Sequence, residues 1–489
     1  KRAGLQSDPG FVADDLMQEL TGAFSSSTTD VILLDGASFS RRRARSTFGS
    51  LSATEAEARH VVANTYLVGW GERWLQCLVI WTVAPVILVV VSPVWVLLRC
   101  FPCIPWPYFL PVGLKQFFGR ATTVDDRRSP VHGGKSTTPV SAADIAKREA
   151  ACETVGVGWA FPWKEDNGLY WFGMGNKCSK GPDSCYFDPT KPTVIYLHGW
   201  EPGTTQRGFR ETINWRWGDP LFSNTDTLDL WIHRGYNCGI FYWNGQSDEL
   251  ENADAERKIF NTSGRTCMRY RYRGGADGND LWYGPPLPEH DKPVSEQVLD
   301  AYIEHFGGRS NMPPQSVRIV GHSLGCQLSL EFLRLLSLKR AEKQHQCLPF
   351  PSRLSLLDPY FTAGRAEYLP KDCNGNVHTN ASWGSEILEM LATTSSIAMD
   401  TYLTSLIGRG WLGGSAKAAL HKHTVVNSVG YRGVHWTSIK TLHICAVHLY
   451  FVSIVVTNAD VGALKTGLIT YAGTSDKHVR SVHKELKSL

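Results

Sequence analysis

Gly321-His322-Ser323-Leu324-Gly325 constrains this chain more than any other stretch. It follows the apolar run Ser316-Val317-Arg318-Ile319-Val320 and precedes a helical pattern from Gln327 to Lys339. A G-x-S-x-G between strand and helix marks a tight turn, in which the two glycines remove side chains that would clash. The serine then stands proud of a sheet edge, and the first N–H of the next helix points to the same place. Elsewhere Asn237 to Trp243 reads as a buried strand and Pro293 to Phe306 as an amphipathic helix. Strands alternating with helices predict a central, mostly parallel sheet with helices on both faces.

A serine hydroxyl is a poor nucleophile unless a histidine takes its proton and a carboxylate orients that histidine. Around a turn of this kind the chain order is serine, acid, histidine. Downstream, Arg353 to Leu357 reads as the next strand and ends in Asp358-Pro359, which puts Asp358 on the same sheet edge as Ser323. The competing reading of Asp358 is a turn cap before proline. Upstream, Thr193 to Leu197 ends in His198-Gly199-Trp200. Gly199 lets the backbone turn so that the Trp200 N–H faces Ser323, beside the Leu324 N–H, while the His198 ring is expected to be structural. Gly321 and Gly325 are the glycines of the turn itself.

Histidines crowd the region after Asp358, and His421, His423, His435, His443 and His448 are the candidates for the base. Thr424 to Val429 reads as a late strand, so His421 and His423 come too early. His448 falls inside an apolar helix, Ile444 to Val456, where a side chain packs. His443 at the start of that helix is the preferred base. His435, in the loop Gly433-Val434-His435-Trp436, is the alternative.

YLHGW, GHSLG and LLDP, in that order, resemble the pancreatic-lipase type of α/β-hydrolase, whose blocks are HG-aromatic, GHSLG and LDP. The family's histidine opens its last helix in a pattern like H-x-x-A-x-x-L-Y, and His443 to Tyr450 fits it through Ala446 and Tyr450. The resemblance spans Pro192 to Ser453 at four short blocks. It implies an α/β-hydrolase fold and a serine hydrolase with Ser323, Asp358 and His443 as triad and Trp200 and Leu324 as oxyanion donors. Two departures stand out. Many relatives carry an Arg two residues after the histidine, where this chain has Cys445. No C-terminal lipid-docking sandwich domain is expected here.

Composition fits a globular enzyme, with 43% hydrophobic and 20% charged residues. A net charge of +4 is too small to argue for nucleic acid. No HExxH or P-loop occurs, so no catalytic metal, nucleotide or other cofactor is expected. Several tryptophans of the catalytic region (Trp159, Trp163, Trp171, Trp200, Trp215, Trp217, Trp231, Trp243) could line an acyl pocket, although core packing is expected for most.

Trp74 to Leu98 carries no charged residue over 25 positions, more than the roughly 20 that span a hydrocarbon core. The expected organisation is a basic, disordered tail at 1–73, a transmembrane helix at 74–98, a juxtamembrane linker at 99–150, the catalytic domain at 151–460 and a polar tail at 461–489. Arg41, Arg42, Arg43 and Arg45 favour a cytosolic amino terminus and a lumenal or extracellular enzyme. Cys178 and Cys185 bracket a turn-rich loop suited to a local disulfide, and Asn261 and Asn380 stand in glycosylation sequons. Two segments are expected to shape the pocket: Glu249 to Pro288, and an apolar-faced helix from Ile387 to Ile407. Together these features predict a membrane-anchored serine hydrolase cleaving carboxylic esters, with lipids of the triacylglycerol or phospholipid kind as substrates. Thioesterase or acyltransferase chemistry, or a catalytically silent binding protein of the same fold, are the alternatives.

Overall fold

The computed structural model describes residues 65–67, 153–154, 160–162, 166–213, 226–308, 317–455 and 468–488, with gaps at 265, 275–279, 373, 411–413, 432–433 and 436. The apolar segment 74–98 and the basic cluster lie outside the described residues. So do Trp159, Trp163, Trp215 and Trp217. Among the described residues no helix is long and apolar enough to cross a membrane.

In chain order the strands are β1 (Thr65–Leu67), β2 (Glu153–Thr154), β3 (Ala160–Pro162), β4 (Gly168–Gly173), β5 (Lys177–Lys180), β6 (Thr193–Leu197), β7 (Phe209–Glu211), β8 (Asn237–Tyr242), β9 (Tyr270–Gly274), β10 (Asp280–Gly284), β11 (Val317–His322), β12 (Arg353–Leu357), β13 (Ala398–Leu403) and β14 (Val425–Tyr431). One sheet takes ten of them in the order β1-β14-β13-β12-β11-β6-β8-β4-β5-β2. The stretch from β14 to β8 is parallel throughout, whereas β1, β4, β5 and β2 pair antiparallel. This is an α/β-hydrolase-like, mostly parallel sheet. Strand order reverses at β6, with β8 on one side and β11 on the other. The crevice outside the carboxyl ends of strands at such a reversal is where open α/β sheets bind ligands.

The strands are apolar on both faces because both are covered. Alternate residues of β6 go to opposite cores: Val194 and Tyr196 to one, Ile195 and Leu197 to the other. The first core packs against the helix Ile439–Val452, the second against the helices Val294–Phe306, Leu324–Ala341 and Asn380–Thr394. Trp171, Trp231 and Trp243 are fully buried within these cores.

The expected helix Ile387–Ile407 is two elements. The helix Asn380–Thr394 ends at Ser395, and β13 then lies buried between β12 and β14. This stretch is sheet core, not a cover over the site. The predicted Cys178–Cys185 disulfide is also absent: Cys185 is disulfide-bonded, but Cys178 keeps its thiol, so the partner of Cys185 lies outside the described residues. Asn380 is buried, and its amide nitrogen donates to Glu256 Oε2 at 2.6 Å and to Tyr368 Oη at 2.9 Å, which leaves no room for a glycan.

Residues 468–488, expected as part of a polar tail, pack onto the domain, with Leu468, Tyr471 and Ala472 in its core. Fully buried Arg353 pairs with Asp400 and donates to Thr474 O at 2.7 Å and Tyr471 O at 2.8 Å. Asp400 also accepts from Ser355 Oγ at 2.7 Å and Tyr402 Oη at 3.0 Å. Removing one charge of a buried pair strands the other. Asp400→Asn should therefore lower unfolding stability by about 3–5 kcal/mol in urea titrations. A loss below about 1 kcal/mol would mean that the pair behaves like a surface one.

Candidate active site

Ser323 sits between β11 and the helix Leu324–Ala341 with φ 56° and ψ −123°. A non-glycine residue in this region costs about 1–3 kcal/mol, and such strain persists only where the surroundings enforce it. Here the Ser323 N–H donates to Leu357 O at 3.1 Å. The turn fits only because both flanking residues lack a side chain. A Cβ on Gly321 would lie 2.3 Å from Gly325 O, and one on Gly325 would lie 2.1 Å from Leu197 O.

Asp358 follows β12 at the same sheet edge and is fully buried, with φ 43°. Its Oδ1 accepts the N–H groups of Thr404 at 2.7 Å and Ser405 at 3.0 Å. Its Oδ2 accepts from the Ser405 hydroxyl and from His443 Nδ1, the latter at 2.7 Å. Burial alone would raise this carboxyl, but the bonds from His443 and Ser405 outweigh it and hold Asp358 below the ordinary carboxylate range.

His443 lies in the second turn of the helix Ile439–Val452, which starts earlier than its apolar pattern suggests. His435 is exposed and pairs locally with Thr437 Oγ1 at 2.7 Å. His448 is buried in the core. Of the histidines after Asp358, it is His443 that the structure brings to that carboxylate.

The loop after β6 comes against Ser323. A Cβ on Gly199 would lie 2.9 Å from Ser323 Cβ and 3.0 Å from His322 O, so only glycine permits this approach. Among the described residues neither the Trp200 N–H nor the Leu324 N–H reaches a protein acceptor. Gly199→Ala should push the loop back and lower turnover by about 10²–10³, the cost of one oxyanion donor, with the melting temperature little changed. Activity within twofold of the parent would show that the loop backbone is not used.

His198 is structural. Its Nε2 accepts the Trp243 N–H at 3.1 Å, and its Nδ1–H donates to Gly199 O at 3.1 Å. Asp248 pins the next turn through the N–H groups of Gly203 at 2.6 Å and Thr205 at 2.9 Å. The Trp200 ring N–H donates to Glu249 O at 2.7 Å, tying the loop to the 249–288 insertion.

Sequence reading missed several supports. His322 donates Nε2–H to His443 O at 3.1 Å, and the two rings lie 4.5 Å apart. Burial, with His443 next in effect, holds the His322 ring at about 3, so it stays uncharged beside its neighbour. Thr404 and Ser405 follow β13, a strand the sequence hid. Glu211, which ends β7, stands within electrostatic reach of His443.

No known protein family and no curated protein matches this chain. Among solved structures, similar ones include an esterase of the Planctomycetes species Thermogutta terrifontis with butyrate bound. It is 13% identical, has a TM-score of 0.25, and the match covers 59% of this chain and 91% of that one. The thioesterase domain of the curacin biosynthetic pathway matches at 13% identity and a TM-score of 0.25, over 60% of this chain and 100% of its own. A sugar hydrolase of Lactococcus lactis matches at 13% identity and a TM-score of 0.26, over 56% of this chain and 82% of its own. At these values the likenesses decide nothing about the chemistry of this chain.

Proposed function

We propose that this protein is a serine hydrolase that cleaves carboxylic esters. One observation carries the reading. A strained serine at a sheet edge shares that edge with a buried aspartate–histidine pair and with two backbone N–H groups that reach no acceptor among the described residues. Ser323 Oγ attacks the ester carbonyl. His443, whose Nδ1 faces Asp358, takes the serine proton through Nε2 and passes it to the departing alkoxide. The N–H groups of Trp200 and Leu324 hold the tetrahedral oxyanion. Water, activated by the same histidine, then splits the acyl-serine into acid and free serine.

The substrates are lipid esters presented at a membrane, to which the apolar segment 74–98 anchors the enzyme. Residues 65–67 precede that segment and pair as β1 with β14, register Thr65 to Tyr431. A single crossing would separate these strands. Their pairing supports an anchor whose two ends lie on one side of the bilayer. Arg41 to Arg45 stand beyond the roughly 15–20 residues over which basic flanks orient a segment. The disulfide at Cys185 favours an oxidising compartment for that common side.

Two measurements test the reading. A fluorophosphonate probe should label the wild-type protein on a panel that runs from short soluble esters to long-chain lipids, with acid and alcohol released in equal amounts; no labelling at any pH sinks it. Epitopes placed before residue 65 and after residue 488 should be digested together, or protected together, in sealed vesicles. Digestion of one alone would restore a single crossing.

A further inference from the structure

Two carboxyl groups meet behind the loop that follows β6. Glu201 comes directly after Trp200, and Glu211 ends β7. Glu201 is buried; its Oε2 accepts from the Asn244 side-chain amide, whereas its Oε1, 3.4 Å from His198 Nδ1, makes no hydrogen bond among the described residues. Glu211 Oε1 accepts from Tyr196 Oη at 2.9 Å. One oxygen of each carboxyl lies within 4.8 Å of the other. Two ionised carboxylates only accept and would repel each other at this separation in a buried setting; one shared proton relieves both problems, and Glu201 Oε1 is an oxygen free to carry it.

His198 completes a cluster in which one atom of each residue lies within 4.8 Å of the others, the spacing of a cation site. The donors do not suit a cation. His198 Nε2 is occupied by the Trp243 N–H, so Nδ1 carries the ring hydrogen and has no lone pair to offer. Burial keeps this ring uncharged, at about 3.

We propose that Glu201 and Glu211 share one proton and act as positioning residues for the Trp200 loop, so that losing this proton at alkaline pH switches the site off. The proposal rests on the ester-cleaving reading of Ser323. With one proton the pair carries a single negative charge. Near His443 that charge favours the imidazolium formed during acylation. A second charge would repel the developing oxyanion and drive the carboxylates apart, moving Glu201 and with it Trp200.

The other charged groups leave this balance in place. Asp248 adds negative field at Glu201 and Arg207 adds positive field. Tyr196 and His443 face Glu211 and favour its charge. Burial is the largest influence on both carboxyls, and both are raised, so the proton is held to higher pH than on an ordinary carboxyl and released as pH climbs. The folded form then binds a proton the unfolded chain has lost, and folding stability also falls as pH rises.

The test uses the full-length protein and its Glu201→Gln variant, which copies the protonated acid in shape, still accepts from Asn244 and donates to Glu211. Fluorophosphonate labelling of Ser323 is followed against pH. Beyond its midpoint a one-proton limb falls about tenfold per pH unit in wild type, while Glu201→Gln should stay within about twofold. Glu211→Gln should flatten the limb too, and Glu201→Ala should label slowly at every pH. The infrared band of a protonated carboxylic acid at pH 7, read as wild type minus Glu201→Gln because Glu256 is also buried and raised, checks the proton independently of activity. Superimposable pH profiles for wild type and Glu201→Gln, or no difference band, overturn the proposal. Absence of labelling in every form overturns the ester-cleaving reading and the switch with it, whatever the band shows.

Discussion

Replacing Ser323 by alanine should leave the protein folded and lower ester hydrolysis by on the order of a millionfold. The change removes one oxygen from a residue whose fixed contact is made by its backbone, the N–H to Leu357 O at 3.1 Å. Alanine meets the same strain at φ 56°, so the turn keeps its shape. The N–H groups of Trp200 and Leu324 remain, and with substrate binding they should sustain a residual rate about 10³–10⁴ above water, as in other triad knockouts. Turnover of a soluble ester, with thermal unfolding as control, reads both effects. A variant that melts with the wild type and keeps more than a hundredth of its rate would show that another group attacks the ester.

The elements around this serine were legible because their apolar runs end at turn chemistry. Arg353–Leu357 and Asn237–Tyr242 form where their patterns put them, and Pro293 leads into the helix Val294–Phe306. β13 was hidden for a physical reason. A strand buried on both faces shows no alternation, and Ala398 to Leu403 follows a helix with only Ser395 and Ser396 as a break. With β13 unseen, Thr404 and Ser405 could not be placed at the end of a strand, so the donors that hold Asp358 were invisible. The start of the helix Ile439–Val452 was missed because Lys440 and Thr441 interrupt its apolar pattern, although His443 still reaches Asp358. Glu201 lies in the loop after β6 and Glu211 ends β7, and the two meet through folding alone. Their one local signal is an acid directly after the HG-aromatic block.

Asp358→Asn should lower turnover about ten-thousandfold while the probe and substrate still bind. Asparagine fills the same space, but only one of its two side-chain atoms accepts hydrogen bonds. The N–H groups of Thr404 and Ser405 select the oxygen for the Oδ1 position, at 2.7 and 3.0 Å in the wild type. The amide NH₂ must then occupy the Oδ2 position and face His443 Nδ1. A donor there forces the imidazole to carry its hydrogen on Nε2, the nitrogen that must accept the serine proton. The base is present in the wrong tautomer. The same substitution has a pH signature in stability. The Asp358 carboxyl is held below its ordinary range in the fold, so its contribution is present above the unfolded value and is lost as pH falls through the folded one. Wild type should therefore be the more stable form at neutral pH, and the two unfolding midpoints should converge in acid. A gap that persists unchanged to low pH would mean that Asp358 supports the fold through shape rather than charge, and a variant retaining wild-type turnover would remove it from the proton path.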